Sequence, residues 1–248
     1  MQASVPPRDP AAILGHFAAA ASAAGFRAEP FGEIAGCPLL AFSKRTPGPR
    51  PRVYLSAGIH GDEPASSLAM LALVESGVLD QRAVWFVCPL LNPDGLRRNA
   101  RGNADGVDLN RDYRNPQSAE ARAHIRWLRR QPNFNLSLCL HEDWEATGFY
   151  LYELNSGPGP SAADAILRRA GQFLPIDPSP LIDGREARGG IIRPVLDPAT
   201  REKWPESIYL VANHHSSLHY TFETPSKGPL DLRIAALKGA VEKAIEPF

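Results

Sequence analysis

The sequence predicts a single α/β domain over residues 1–248, a mixed, mostly parallel twisted sheet with helices on both faces. Three observations predict it. Short apolar runs of strand length alternate with longer helix-like segments along the whole chain. Proline and glycine, 24 and 20 residues, cluster between those segments rather than in one hinge. No linker or internal repeat divides the chain, and 248 residues is within the size of one large α/β unit.

The first element is an amphipathic helix that starts near Asp9-Pro10 and stops at Gly25. Its alanine-rich stretch at 18–24 resembles the apolar core of a secretion signal, but Arg8, Asp9 and prolines precede it and Ser22 interrupts it. Residues 52–59 form a short apolar run that breaks at Gly58, and a helix-like stretch at 64–75 follows. Residues 83–89 read as a second buried strand that stops at the turn formers Asn92-Pro93-Asp94-Gly95, completing a β-α-β unit. Polar, glycine-rich sequence fills 94–116. A helix at 118–130, strands at 134–141 and 148–154, a helix at 162–173, a strand at 217–223 and a helix at 230–245 complete the series. The densest loops lie near 155–160 and 175–205. The second exceeds the ~15 residues usual for a structureless connection, so it is expected to hold structure of its own or to shape substrate access.

Composition narrows the function. Apolar residues make up 44% of the chain, and no stretch approaches the ~18 uninterrupted apolar residues of a membrane span. Lys+Arg 27 balance Asp+Glu 27, which leaves no electrostatic footprint for nucleic acid or an acidic membrane and is compatible with a small, locally charged substrate. Cys37, Cys88 and Cys139 show no paired spacing, and two of them lie in strongly apolar segments. They read as reduced core thiols, which predicts a cytoplasmic address, with an exported protein carrying buried free thiols as the alternative.

Three residues have the chemistry of metal ligands. His60-Gly61-Asp62-Glu63 follows a strand directly, where α/β sheets gather functional groups at the carboxyl ends of their strands. Imidazole and carboxylate are good zinc donors, and the three-residue spacing lets them converge if the turn enters a helix. Taken alone, the segment reads first as a polar loop with a helix-starting acid. The third strand ends on His141, and period-two alternation sets Ser137, Cys139 and His141 on one face against Leu136, Leu138 and Leu140 on the other. A hydrogen-bonded packing histidine would satisfy the same pattern. His141-Glu142-Asp143-Trp144-Glu145 lacks the second histidine of a His-Glu-x-x-His helix, so its acids are expected to support the site or to be solvated. His214-His215 is a poor joint ligand pair, because sequence neighbours seldom point the same way.

Asn92-Pro93-Asp94-Gly95, then Gly106-Val107-Asp108-Leu109-Asn110-Arg111, then Thr221-Phe222-Glu223-Thr224-Pro225-Ser226 follow in order, with His60-Gly61-Asp62-Glu63 before them and His141 between. On these motifs, from about residue 50 to 230, the chain resembles the M14 metallocarboxypeptidase family, especially its compact bacterial members such as murein peptide amidases. The resemblance implies a zinc carboxypeptidase-like fold and one zinc ion per chain, held by His60, Glu63 and His141. It implies Glu223 as the catalytic acid/base, Asn110 and Arg111 as binders of a substrate carboxylate, and Arg101 as the oxyanion stabiliser, with Arg98 competing for that last role. The family's mobile tyrosine has no clear counterpart, although Tyr209 and Tyr220 are near in sequence.

The residue chemistry agrees with these roles. Three protein ligands leave zinc one open position, which suits hydrolysis at neutral pH. Glu223 lies in an apolar strand, where desolvation favours a protonatable carboxyl. Arginine pairs with carboxylates through its planar fork. The plainer alternatives are an edge-strand or loop carboxylate at Glu223 and a solvated basic loop at Arg98, Arg101 and Arg111. The expected function is hydrolysis of a peptide or amide bond next to a free carboxylate. An N-acyl amino acid deacylase resembling aspartoacylase or succinylglutamate desuccinylase shares part of the motif set, and a non-catalytic zinc or peptide-binding module is the alternative of another class.

Overall fold

Asp9 accepts the Ala12 amide at 3.0 Å and so caps the first helix, α1 (Pro10–Ala23), which ends at Gly25 with φ +83°. The structure is a computed structural model that describes residues 6–157, 159–195 and 197–248; Pro158 in the 155–160 loop and Leu196 in the 175–205 loop lie outside the described residues. Strands β1 (Arg27–Ile34) and β2 (Cys37–Lys44) follow as an antiparallel hairpin that the sequence does not announce. β1 is partly exposed at the sheet edge, and its register shifts between Pro30 and Gly32, so no clean alternation marks it.

The expected β-α-β unit is β3 (Arg52–Ala57), α2 (Pro64–Glu75) and β4 (Val84–Cys88). The turn formers after it open a short helix rather than a plain turn. Asn92 caps α3 (Pro93–Arg98) by accepting the Gly95 amide at 2.9 Å, and Asn99 ends it with φ +52°. A single 3₁₀ turn at Leu109–Arg111 precedes α4 (Ala119–Leu128), β5 (Leu136–Asp143), β6 (Tyr150–Asn155) and α5 (Ala163–Ala170).

The 175–205 segment does hold structure. It carries the two-residue strands β7 (Leu181–Ile182), β8 (Arg185–Glu186) and β9 (Ile191–Ile192). The seven-residue α6 (Glu206–Ala212), too short to leave a periodic signal, comes next, and β10 (Leu218–Pro225) and α7 (Leu230–Ile245) close the chain.

The main sheet runs β1-β2-β4-β3-β5-β10-β6-β9. The central neighbours β4, β3, β5 and β10 are parallel, so their carboxyl ends share one edge, while β1, β2 and β6 pair antiparallel. Leu136, Leu138 and Leu140 pack with Phe17 of α1, Ala69 of α2 and Leu237 of α7 on one face. Cys139 packs with Trp127 of α4 and Leu210 of α6 on the other. Helices on both faces and the two-sided alternation of β5 are thus as expected. The three cysteines are free and buried.

Between α4 and the sheet lies a fully buried polar chain. Tyr113 donates its hydroxyl to His124 Nδ1 at 2.7 Å, and the Tyr54 hydroxyl donates to Glu206 Oε1 at 2.6 Å while lying 3.0 Å from His124 Nε2. Of the two neutral tautomers, only Nε2–H satisfies all three contacts. Burial pushes His124 down to about 3, and likewise His219, which sits between Ser137 and Thr221. For a histidine whose folded pKa lies below its unfolded 6.5, stability is complete above 6.5 and is lost as pH falls toward the folded value. Each therefore removes up to about 1.4 kcal/mol per pH unit below 6.5. Urea unfolding at successive pH values should show this slope, reduced in His124→Gln; a flat profile from pH 7 to 5 contradicts the assignment.

Candidate active site

The loop after β3 is built around a close approach. A Cβ on Gly61 would lie 1.9 Å from the carbonyl carbon of Gly95, so only glycine lets this loop meet α3. Asn92 ties the same region together, donating from Nδ2 to the carbonyls of Ile59 and Arg101, both at 3.3 Å. This is the work of the Asn-Pro-Asp-Gly motif: it fixes the loop carrying His60 against the loop carrying Arg101. Glu63 then stands at the N-cap of α2, where the turn enters the helix as the three-residue spacing requires.

His60 Nδ1 lies 2.5 Å from Glu63 Oε1, and His141 Nδ1, arriving from the end of β5, lies 3.0 Å from Glu63 Oε2. One donor atom from each residue falls within 4.8 Å of the others, close to the ~4 Å span of two ~2.1 Å bonds to one ion. All three side chains are buried. Burial alone would raise the Glu63 carboxyl, but the two imidazoles hold it well below the usual range, so it is an anion. A buried carboxylate between two ring nitrogens requires positive charge, either protons on the rings or a cation among them. Asp108 Oδ1, 3.2 Å from His60 Nε2, accepts that nitrogen's proton and leaves Nδ1 free to ligate. Two imidazoles and a carboxylate so arranged fit a divalent metal.

Strand register brings Glu223 to the cluster. It faces His141 across the parallel β10–β5 pairing and Tyr150 across the antiparallel β10–β6 pairing. β10 is therefore an interior strand, which removes the edge-strand alternative. Burial pushes the Glu223 carboxyl up to about 8; His141 works against the rise, and the negative charges of Glu63 and Asp143 add to it.

Arg101 reaches the same space, its Nε donating to Asp108 at 3.0 Å and its Nη1 lying 3.4 Å from Glu63. Arg98 does not: its Nε donates to Asp94 at 2.7 Å. Asn110 and Arg111 also line the cleft, and the Asn110 side-chain oxygen accepts the Glu206 amide at 2.9 Å. Beneath α2, Glu142 accepts the Ala65 amide at 2.6 Å and pairs with Arg233 of α7, and burial raises its carboxyl to about 7 against the pull of that arginine.

The cleft measures about 530 Å³ and opens at the carboxyl edge of the central strands. Six of the seven residues selected from the sequence line it, and the seventh, His141, touches Glu63 just behind the wall. Neither Tyr209 nor Tyr220 lines the cleft. Tyr209 packs against Tyr113 and His215 in the core, and the buried Tyr220 donates to Glu153 at 3.1 Å; the cleft is lined instead by Tyr150 and Tyr152. His215 stacks on Tyr209, far from a joint ligand role with His214, whose φ is +57°. Sequence reading did not assign Asp108, although it lies inside a motif already singled out, nor Tyr150, Glu206 and Arg233, which only pairing and packing bring near.

Residues 49–156 match the succinylglutamate desuccinylase/aspartoacylase catalytic domain family. Murein peptide amidase A of Escherichia coli (strain K12) is 33% identical over 97 residues, 38% of this chain and 38% of the amidase. Matches to the curated carboxypeptidases SOL1 and D run over 104 and 111 residues but cover only 21% and 8% of those proteins, so the aligned region spans well under half the length of the curated relatives. A Shewanella amazonensis protein classed as a metallopeptidase superposes with a TM-score of 0.86 at 24% identity, over 97% of this chain and 94% of that one. A metallo-carboxypeptidase from Burkholderia cenocepacia gives 0.69 at 22% identity, over 95% and 67%. The resemblance carried by the motifs thus extends to the whole fold. Among the described residues no helix is long and apolar enough to cross a membrane.

Proposed function

We propose that this chain, which has the metallocarboxypeptidase fold, is a single catalytic domain that uses one zinc ion to hydrolyse the peptide or amide bond next to a residue with a free carboxylate. The observation that carries this reading is the convergence of His60, Glu63 and His141 on one point, with Glu223 beside them in strand register. Zinc held by these three residues supplies Lewis acidity, polarising a substrate carbonyl and making water a better nucleophile at neutral pH.

The protein's own groups do the rest. Glu223, raised by burial and by neighbouring anions, takes the proton of the attacking water and returns it to the departing nitrogen. Asn110 and the Arg111 guanidinium bind the substrate carboxylate, and Asn110 is held in place by the Glu206 amide. Arg101, aimed into the cleft by Asp108, meets negative charge as it develops on the carbonyl oxygen. The three buried free thiols support a cytoplasmic address.

The family match over residues 49–156 favours a second reading, an N-acyl amino acid deacylase. A substrate panel decides between them: blocked C-terminal peptides, γ-linked murein peptides and N-acyl amino acids, each as free acid and as amide. Preference for free-acid peptides supports the first reading, and exclusive turnover of N-acyl amino acids supports the second. No turnover by zinc-loaded protein leaves the non-catalytic module. Within the first reading, Arg111→Ala should mainly raise KM for free acids, by about 10- to 100-fold, and Arg101→Ala should mainly lower kcat. Equal turnover of acids and amides refutes the carboxylate site, and a kcat defect in Arg98→Ala instead moves the oxyanion role to that residue.

A further inference from the structure

On the sheet face covered by α2 and α7, an acid stands where the pattern of β5 calls for an apolar residue. Leu136, Leu138 and Leu140 pack on that face, and period-two alternation puts Glu142 next in their row. Its side chain is 0% exposed. A carboxylate so placed costs stability unless its charge and its oxygens are matched. Here they are matched: Oε1 accepts the Ala65 amide at 2.6 Å, and Oε2 pairs with Nη1 of Arg233, which arrives from α7.

The Ala65 amide is one that a helix usually satisfies with its own N-cap. An N-cap side chain accepts from the second or third helical position, and in α2 the N-cap is Glu63, the first position is Pro64 and the second is Ala65. Among the described residues, Glu63 makes no such bond. Its Oε1 faces His60 at 2.5 Å and its Oε2 faces His141 at 3.0 Å, so both oxygens are turned to the cluster. Glu142 supplies the missing acceptor, and with it a negative charge at the helix N-terminus. As the chain neighbour of His141, it also ties the strand end that carries one cluster residue to the helix end that carries another. Ser66 completes the clamp from within α2: its hydroxyl donates to the Glu63 carbonyl at 2.7 Å and accepts the Gly58 amide at 3.2 Å, which steadies the loop of His60.

We propose that Glu142, fixed by Arg233, is a positioning residue that caps α2 in place of Glu63, so that the Glu63 carboxylate is released for the metal and held in register with His141. This rests on the zinc-site reading above. Glu142 acts through Glu63 and His141 rather than on the substrate, and Arg233 extends that support to the last helix.

Two double variants of the full chain test the role. Glu142→Met with Arg233→Met removes the cap and the ion pair together and strands no charge, a replacement that proteins often tolerate without loss of stability. Glu142→Gln with Arg233→Met differs from it by restoring an acceptor for the Ala65 amide. In the first variant zinc affinity, measured by chelator competition, should fall by about 10- to 100-fold while the thermal midpoint of the metal-free protein stays near wild type. The second should recover most of that loss. Amide exchange in metal-free protein reads the cap without zinc: Ala65 should exchange roughly 2- to 30-fold faster in the first variant, the range of a lost N-cap, and return toward wild type in the second. Glu142→Asp keeps the charge beside Arg233 and shortens the reach to Ala65, so it carries the same comparison if the methionine pair does not fold.

A folded methionine variant with wild-type zinc affinity overturns the proposal, as does unchanged Ala65 exchange. An ion pair that served the fold alone would shift the thermal midpoint and leave the zinc affinity of the folded protein where it was. Wild-type protein with no affinity for zinc is a separate failure: it removes the zinc reading and the positioning of ligands with it, while the exchange measurement still decides the cap.

Discussion

Glu223→Gln is expected to lower kcat by about 10²- to 10⁴-fold while zinc content, fold and substrate binding stay near wild type. The substitution keeps the size of the side chain and removes only its ability to carry a proton between water and the leaving nitrogen. Its position makes the expectation specific. Glu223 sits on an interior strand between His141 and Tyr150, and burial with nearby anions raises its carboxyl to about 8. A cation held at the neighbouring cluster would bring that value down toward the operating pH, where a general acid/base is most effective. Metal content and circular dichroism belong in the same experiment, because loss of either would imitate the defect. A folded, zinc-replete Glu223→Gln with near-normal turnover transfers the proton role elsewhere, and Glu142 is then a poor successor, because Arg233 and the Ala65 amide already engage it.

Removing a ligand should have the second large effect. His60→Ala and His141→Ala are expected to reduce bound zinc from about one equivalent per chain to a trace, and hydrolysis with it. Asp108→Asn separates direct ligation from its support. It leaves all three donors in place but weakens the acceptor for His60 Nε2 and the hold on Arg101, so zinc affinity should fall by about 10- to 100-fold rather than vanish. Mass spectrometry of the native protein and a competitive chelator titration measure both. Full zinc retention in both histidine variants removes the ligand assignment, and an Asp108→Asn variant indistinguishable from wild type removes the supporting role of Asp108.

The local sequence determined much of this protein. Strand runs that lead to His60 and His141, the helix start after Glu63, and the alternation of β5 follow from apolar period, turn chemistry and capping, which act over a few residues. The same signals select the residues of the candidate site, because polar groups that stand at the carboxyl ends of buried strands are conspicuous in an apolar setting. What reads poorly is whatever lacks a local period: the edge hairpin β1–β2, the seven-residue α6 and the two-residue strands of the 175–205 segment.

Tertiary structure decided which side chains meet. Nothing in the sequence states that β10 lies between β5 and β6, yet that order sets Glu223 between His141 and Tyr150 and sends Tyr209 and Tyr220 into the core. It chose Arg101 over Arg98 for the cleft by closing Gly61 onto Gly95, and it brought Arg233 from the last helix to Glu142. The physical reason is that local pattern fixes which face of an element is apolar, whereas strand order and long-range packing are settled by the mutual burial of many such faces, a quantity no short segment contains.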